Sequence, residues 1–245
     1  MVSPSAESVG SLRDQPEPAN RLIVALDVPT LDEARSLAAA LGPHVGFLKV
    51  GLELFAAHGP DAVRAVGEHA PVFLDLKLHD IPNTVARAAQ RVADLGVALL
   101  TAHASGGPSM IESAVEALAG SRTRLLAVTV LTSLADDELA TIGQPSAAEQ
   151  VARLALMATK AGADGIVCAP TDAGPLRGSL PPSTLLVTPG IRPAGAAADD
   201  QVRVATPEQA LAAGADLLVV GRPITRAEDP VAATIAIVES IRSAS

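Results

Sequence analysis

The sequence of 245 residues predicts an α/β protein folded as a single (β/α)8 TIM barrel. From Arg21 onward, short runs of Val, Leu and Ile alternate with Ala-rich amphipathic segments, which is typical of parallel strands covered by helices on both faces. Eight such units in a chain of this length indicate a closed barrel. A doubly wound open sheet is the alternative, but Asp27-Val28-Pro29-Thr30, which follows the first strand, is not its glycine-rich fingerprint.

The predicted elements follow one another in a regular order. The strands are short, apolar and rich in β-branched residues: Leu22–Leu26, Val45–Val50, Val72–Leu76, Ala98–Ala102, Leu125–Val130, Gly165–Cys168, Thr184–Val187 and Leu217–Val220. The helices between them are amphipathic: Leu31–Leu41, Asp61–His69, Pro82–Leu95, Pro108–Leu118, Ala147–Ala161, Pro207–Ala213 and Pro230–Ile241, with a short one near Asp172–Arg177. Residues 1–20 are rich in Pro, Ser and Glu and lack the apolar segment of a secretory signal. We therefore predict a flexible tail over residues 1–20 and one catalytic domain over residues 21–245.

The composition excludes several classes of function. No apolar run reaches the roughly 18 residues that a membrane helix needs, so no membrane partner is expected. A formal net charge of −9 argues against a nucleic-acid partner, although a local basic pocket for one phosphate is compatible with it. The single Cys168 excludes an internal disulfide and a multi-cysteine metal site, and it suits the reducing cytoplasm, where we expect the protein.

Residues 75–84, Asp-Leu-Lys-Leu-His-Asp-Ile-Pro-Asn-Thr, form the most informative segment, because they follow directly on the apolar residues 72–74. Residues two apart on a strand share a face, so Asp75 and Lys77 project side by side from the strand end, and Asp80 lies just beyond. Buried charges are unfavourable unless they pair or take part in chemistry. A purely structural ion pair, with Asp80 as the N-cap of the next helix, is the alternative interpretation.

The scarcity of lysine strengthens the chemical interpretation. Lys49, Lys77 and Lys160 are the only lysines in the sequence, and elsewhere the chain uses arginine. Arginine cannot release its proton near neutral pH, whereas a buried lysine can. A site that must donate a proton would therefore need a lysine.

In a barrel, the active site lies at the C-terminal ends of the strands. The polar residues predicted there are Asp27, Lys49, Asp75, Lys77, His103, Thr132, Arg192 and Arg222. Gly190 follows the seventh strand and Gly221 the eighth, where barrels often bind phosphate through glycine N–H groups, and Arg222 would add a bidentate contact. The segment of residues 192–201 is small, polar and rich in Gly and Ala, which suits a mobile lid or a surface loop without a role.

These motifs closely resemble the orotidine 5′-phosphate decarboxylase family, from about Arg21 to near the C-terminus. The matching segments are Ala25-Leu26-Asp27, Lys49-Val50-Gly51, residues 75–84, Leu131-Thr132-Ser133, residues 188–192, Asp200-Gln201-Val202-Arg203 and Gly221-Arg222. The resemblance implies that orotidine 5′-phosphate loses CO2 to give uridine 5′-phosphate, the last step of de novo UMP synthesis. It also implies that no metal or organic cofactor is needed.

The resemblance further implies a role for each matching residue. The catalytic set is Lys77, Asp75, Asp80 and Lys49, in which Lys77 protonates C6 of the pyrimidine and Asp75 lies close to the departing carboxylate. Asp27 and Lys49 bind ribose hydroxyls. The other implied substrate contacts are Ile81, Thr84, Thr132, Pro189, Arg192, Gln201, Gly221 and Arg222, with Gln201, Gly221 and Arg222 on the phosphate. The family works as a homodimer in which Asp80 and Thr84 reach into the neighbouring subunit's site.

Two rival functions differ in class. Sugar-phosphate decarboxylases and synthases with a similar barrel share the Asp-x-Lys-x-x-Asp strand end but use Mg²⁺; the continuation at residues 81–84 disfavours them. The second rival function is non-enzymatic: a barrel that binds a phosphate ligand without catalysis. The intact Asp75, Lys77 and Asp80 argue against this function. For His79 and His103 the sequence leaves open whether each is a structural histidine or a ligand contact.

Overall fold

The computed structural model describes residues 17–193 and 204–244. Within these ranges, eight parallel strands close into a barrel in chain order: β1 Leu22–Ala25, β2 Phe47–Val50, β3 Val72–Leu78, β4 Leu99–His103, β5 Arg124–Val128, β6 Gly165–Val167, β7 Leu185–Thr188 and β8 Leu217–Val220. The predicted fold class is confirmed. Of the predicted tail, residues 1–16 lie outside the described ranges. The folded part begins before the predicted boundary, because Pro18–Arg21 form a 3₁₀ turn and Ala19 contacts the core.

The helices of the described ranges surround the strands: α1 Leu31–Leu41, α2 Leu52–His58, α3 Pro60–Gly67, α4 Pro82–Ala93, α5 Pro108–Leu118, α6 Asp136–Thr141, α7 Ala147–Lys160, α8 Pro170–Ser179, α9 Pro207–Ala212, α10 Arg222–Thr225 and α11 Pro230–Ser243. The short helices α2, α6 and α10 were not predicted. None of the described helices is both long and apolar enough to cross a membrane.

Alternation along the strands separates two apolar layers. On β3, for example, Phe73 faces the barrel interior with Phe47 and Leu99, whereas Leu74 belongs to the larger layer between strands and helices. This is the period of two that a strand imposes on its side chains. The next residues of β3 on the interior face are Asp75 and Lys77, so the same alternation carries them to the open end of the barrel.

At the N-terminal ends of the strands, carboxylates accept hydrogen bonds from backbone N–H groups. Asp164 Oδ2 accepts a hydrogen bond of 2.8 Å from the Leu125 N–H, and Asp216 Oδ2 accepts one of 2.7 Å from the Leu186 N–H. Arg177 Nη2 donates to the same Asp216 oxygen at 2.6 Å. These contacts satisfy buried backbone groups between neighbouring strands, so this end of the barrel serves stability.

The pairing of β3 with β4 is irregular where the charges lie. Leu74 is opposite Leu100 and Leu78 is opposite Ala102, so residues 75–77 of β3 face the single residue Thr101 of β4. Lys77 adopts a positive φ of 51°, the only non-glycine residue in the described ranges that does so. A left-handed backbone is unfavourable for an L-residue by about 1–2 kcal/mol. Such strain often marks a functional site, since bulges there redirect side chains.

Candidate active site

Two carboxylates and two ammonium groups form a row across the ends of β1, β2 and β3. Lys49 Nζ lies 2.9 Å from Asp27 Oδ1 and 3.6 Å from Asp75 Oδ2. Lys77 Nζ lies 2.7 Å from the same Asp75 oxygen. The signs alternate along the row and the four formal charges sum to zero. The two buried members, Lys49 and Asp75, therefore each have neighbours of opposite charge, as burial requires. We refer to Asp27, Lys49, Asp75 and Lys77 as the charged row.

The strand register brings the charged row together. Ala25 of β1 pairs with Lys49 of β2, and Lys49 pairs with Phe73 of β3. Asp27 and Asp75 each stand two residues beyond these paired positions, on the same face, so both carboxylates flank the Lys49 ammonium. The predicted clustering of charges at the C-terminal strand ends is therefore present in the structure.

Asp75 is the central group of the charged row, with only 9% of its surface exposed. Burial acts to raise the pKa of Asp75, while the nearby charges of Lys49 and Lys77 act to lower it. Hydrogen bonds from Lys77 and Thr101 also favour the ionised form, and the pKa of Asp75 falls below its ordinary value of 3.8. Asp75 is thus a buried carboxylate that stays charged at neutral pH.

Gly51 makes room for one of these ion pairs. A Cβ added at Gly51 would lie 2.9 Å from both Asp27 Oδ1 and Lys49 Nζ, closer than a Cβ atom normally comes to another heavy atom, so the two side-chain ends would have to shift. The glycine therefore permits the contact between the first two members of the charged row. Gly51 belongs to the Lys49-Val50-Gly51 motif, but the motif does not predict this spatial role.

Thr101 is a second residue that the sequence analysis missed. Its hydroxyl donates to Asp75 Oδ1 at 2.9 Å and accepts from the Lys77 N–H at 2.9 Å. Thr101 is fully buried on β4, within an otherwise apolar run. Its hydroxyl was the signal in the sequence, because it is the only polar side chain in the predicted strand Ala98–Ala102.

The two histidines left open by the sequence lie beside the charged row. The rings of His79 and His103 contact each other with centroids 5.4 Å apart and planes tilted by 42°. Burial lowers the pKa of His103 below its ordinary value of 6.5, and the charges of His79 and Lys77 lower it further, against an opposing effect of Asp75. His103 is therefore kept neutral more readily than a free histidine.

Asp80, Ile81 and Thr84 lie at the surface of the single chain. Ile81 is 66% exposed, and Asp80 and Thr84 are also exposed. Asp80 Oδ1 accepts a 2.6 Å hydrogen bond from the Ile81 N–H, and among the described residues it forms no ion pair. The alternative that Asp80 caps α4 is wrong, because the N-cap is Ile81 and no side chain completes it. These residues do not join the charged row of their own chain.

The predicted phosphate residues lie after β7 and β8. Gly190 has a positive φ of 82°, and Arg192 is buried, with Nη1 donating to the Ile191 carbonyl at 3.0 Å. A Cβ added at Gly221 would lie 3.9 Å from Asp27 Oδ2, so Gly221 adjoins the charged row. Half-buried Arg222 begins α10, directly after Gly221.

Three further residues predicted to contact the substrate lie either near the C-terminal strand ends or outside the described ranges. Pro189 and Thr132 are both half-buried, Pro189 directly after β7 and Thr132 in the turn after β5. Residues 194–201, which include Gln201 and make up most of the predicted lid, lie outside the described residues. Within residues 17–193 and 204–244, no group of three or more His, Cys, Asp or Glu side chains is placed to hold a metal ion.

A closed barrel with interleaved lysines and carboxylates at the C-terminal strand ends has the architecture of a TIM-barrel enzyme. The chain belongs to the Orotidine 5′-phosphate decarboxylase / HUMPS family, whose model matches residues 20–237. The resemblance predicted from the motifs is thereby confirmed.

Individual relatives agree with the family match. The chain is 56% identical over 225 residues to the orotidine 5′-phosphate decarboxylase of Anaeromyxobacter sp. (strain K), covering 90% of this chain and 98% of the relative. It is 54% identical to the enzyme of that name from Thermobifida fusca, covering 90% and 95%. The crystal structure of the Lactobacillus acidophilus orotidine 5′-phosphate decarboxylase superposes with a TM-score of 0.80 at 43% identity, covering 90% and 98%.

Proposed function

We propose that this barrel decarboxylates orotidine 5′-phosphate to uridine 5′-phosphate and CO2, the last step of de novo UMP synthesis. The observation that carries the proposal is the charged row at the C-terminal strand ends, with Lys77 Nζ 2.7 Å from Asp75. High identity over nearly the whole length of relatives that bear this name supports the same reaction.

The chemistry explains why a lysine is needed. When the C6–carboxylate bond breaks, its electron pair stays on C6 in the plane of the ring, where the π system cannot delocalise it. A fixed positive charge about 4 Å away stabilises such an anion by about 4 kcal/mol at an effective dielectric of 20. Lys77 supplies that charge and then gives its proton to C6 as general acid. The neutral amine recovers a proton from solvent, which closes the cycle.

Asp75 serves this step in two ways. It holds the Lys77 ammonium at 2.7 Å, and Lys49 at 3.6 Å supports the same oxygen from the other side. Because Asp75 stays ionised, it also presents a negative charge to the departing carboxylate of the substrate. That repulsion is relieved when neutral CO2 leaves, so the interaction favours the transition state over the bound substrate.

The remaining substrate contacts are proposed from the resemblance of the sequence motifs to the family. Asp27 and Lys49 bind the ribose hydroxyls, Ile81, Thr84, Thr132 and Pro189 contact the nucleoside, and the phosphate is held by Gly221, Arg222 and Gln201, near Arg192. The adjacency of Gly221 to Asp27 supports a phosphate next to the ribose. Replacing Arg222 by Ala should sharply lower kcat/KM for orotidine 5′-phosphate and change that for phosphate-free orotidine little. An equal loss on both substrates would make Arg222 a structural residue.

The function is tested with purified protein, orotidine 5′-phosphate and EDTA, by following the loss of substrate absorbance. We expect full turnover in the chelator. A folded protein without turnover would overturn the proposal. Activity that disappears in EDTA and returns with Mg²⁺ would instead place the chain with the sugar-phosphate enzymes.

We also propose a homodimer in which Asp80 and Thr84 complete the partner's site. The exposure of both residues, and of Ile81 at 66%, supports this arrangement. Mixing inactive Lys77→Ala subunits with inactive Asp80→Ala subunits should regenerate activity, because one heterodimer site then carries neither lesion. Subunit exchange without recovered activity would show that Asp80 serves its own chain. A cytoplasmic location remains a prediction from the single, buried Cys168.

A further inference from the structure

We propose that Thr101 is a positioning residue that fixes both the Asp75 carboxylate and the backbone of Lys77. It is the single residue of β4 opposite residues 75–77 of β3, which include the charged Asp75 and Lys77. The proposal rests on the assignment of Asp75 and Lys77 to the active site. The proposal adds to the site one residue of β4, which contacts Asp75 and the Lys77 backbone.

One hydroxyl group makes both contacts, and their directions are fixed by chemistry. An ionised carboxylate can only accept, so the Thr101 proton must point to Asp75 Oδ1, 2.9 Å away. The Lys77 N–H can only donate, so it uses a lone pair of the same oxygen, also at 2.9 Å. Thr101 is completely buried, so water does not replace either contact without rearrangement.

Because Thr101 contacts Asp75, the two oxygens of the Asp75 carboxylate have different partners. Oδ1 is held by Thr101 and Oδ2 by the ammonium groups of Lys77 and Lys49. Rotation of the carboxylate about its Cβ–Cγ bond would break the hydrogen bond from Thr101 to Oδ1. The hydrogen bond from Thr101 therefore orients Oδ2 toward the ammonium groups of Lys77 and Lys49, and so positions the Lys77 ammonium before substrate binds.

The contact with Lys77 stabilises a strained backbone. Lys77 has a φ of 51°, and the register shift removes regular ladder pairing between Leu74 and Leu78. The Thr101 hydroxyl takes the place of a backbone acceptor for the Lys77 N–H. The bulge and the direction of the lysine side chain therefore depend on the same oxygen atom.

The test compares Thr101→Val with Thr101→Ser. Valine keeps the shape and removes the hydroxyl, and we expect kcat to fall by about 10- to 100-fold, or about 1.4–2.7 kcal/mol at 1.36 kcal/mol per decade. Serine keeps the hydroxyl and should stay within about threefold of wild type, since the contact is retained. If Thr101→Val does not fold, Thr101→Ala removes the hydroxyl without placing a methyl group against Asp75.

Thr123→Val is the matched control. Thr123 is also buried, and its hydroxyl donates to the Val97 carbonyl at 2.7 Å, before β5 at the opposite end of the barrel. This variant should lose stability to a similar degree and keep its kcat. An equal loss of kcat in both valine variants would mean that Thr101 acts only through stability, and the proposal would be wrong.

The pH profile gives a readout that a merely structural residue would not change. The charged or titratable side chains that face Asp75 are Lys49 on β2, Lys77 on β3 and His103 on β4, with Asp27 beyond Lys49 at the end of β1. The Thr101 hydrogen bond is among the causes that lower the pKa of Asp75. Its removal should shift the acid limb of kcat/KM to higher pH in the valine variant, and leave it in place in the serine variant.

The outcomes separate this proposal from the assignment of the site. A folded Thr101→Val enzyme with kcat within threefold of wild type and an unshifted acid limb overturns the role of Thr101, whatever Lys77→Ala does. Equal losses in the valine and serine variants overturn it as well, because the methyl group would then be the important part. An active Lys77→Ala enzyme would instead refute the site assignment itself.

Discussion

Replacing Lys77 by Ala and by Arg separates the charge of this residue from its proton. Alanine removes both, whereas arginine keeps a positive charge that cannot give up its proton near neutral pH. Neither change should unfold the barrel, since Asp75 keeps Lys49 at 3.6 Å and Thr101 at 2.9 Å. The two variants therefore report on chemistry in the same folded framework.

The size of each loss follows from the geometry and the two roles of the lysine. A charge held about 4 Å from the C6 anion contributes about 4 kcal/mol, which is about 10³-fold in rate at 1.36 kcal/mol per decade. General acid catalysis by a positioned group contributes about another 10²- to 10⁴-fold. We therefore expect Lys77→Ala to lose at least about 10⁵-fold in kcat, and Lys77→Arg to lose about 10²- to 10⁴-fold.

The assay is the absorbance change of orotidine 5′-phosphate, with thermal melting to check the fold. Lys160→Ala is the matched control, because Lys160 is the one lysine outside the charged row and lies exposed at the end of α7. It should leave kcat unchanged. Near-normal turnover by well-folded, contaminant-free Lys77→Ala protein would refute the mechanism. Wild-type turnover by Lys77→Arg would show that this residue is not the proton donor.

Two more predictions follow from the same face of the barrel. Gly51→Ala places a Cβ 2.9 Å from Asp27 and Lys49 and should displace both side chains. The KM should then rise by about tenfold or more, which corresponds to about 1.4 kcal/mol of lost substrate contact. The control Gly67→Ala, whose Cβ would meet Val72 at an ordinary 3.5 Å, should leave KM unchanged. The pKa of His103 in the folded protein lies below its ordinary value of 6.5. As the pH falls below 6.5, the unfolded chain therefore binds a proton at this histidine before the folded protein does. The free energy of unfolding of wild type should decrease over this range, until the pH reaches the pKa of the folded state. Urea unfolding at a series of pH values should show this loss in wild type and a flatter profile in His103→Gln, and equal profiles would contradict it.

Much of this arrangement could be predicted from the sequence, because two simple periodicities carry it. Alternating apolar and amphipathic segments located the strands, and a period of two placed Asp75 and Lys77 on the same face of their strand. The rule that barrel sites lie at C-terminal strand ends then joined these residues to Asp27 and Lys49. Each of these inferences needs only local pattern and topology, which one sequence provides.

The features that were missed depend on register and on close approach. Regular alternation gives no sign that residues 75–77 bulge against Thr101, because the mismatch arises between two strands. Gly51 was invisible for a similar reason, since its role is to leave space for an ion pair formed by other elements. Helix α2, which begins after Gly51, has no side-chain N-cap to mark its start. Such features become apparent only when neighbouring strands are placed side by side.

The two ends of the barrel use carboxylates for different purposes. At the N-terminal ends, Asp164 and Asp216 accept hydrogen bonds from backbone N–H groups. Because these donors are fixed in the strands, the two carboxylates serve only to stabilise the barrel. At the C-terminal ends, Asp75 is held by two lysine side chains and one hydroxyl, beside a strained backbone. Lysine ammonium groups can turn from a carboxylate to a substrate without breaking the fold. The strain, the buried polar groups and the exchangeable partners therefore occur together at the end where the chemistry takes place.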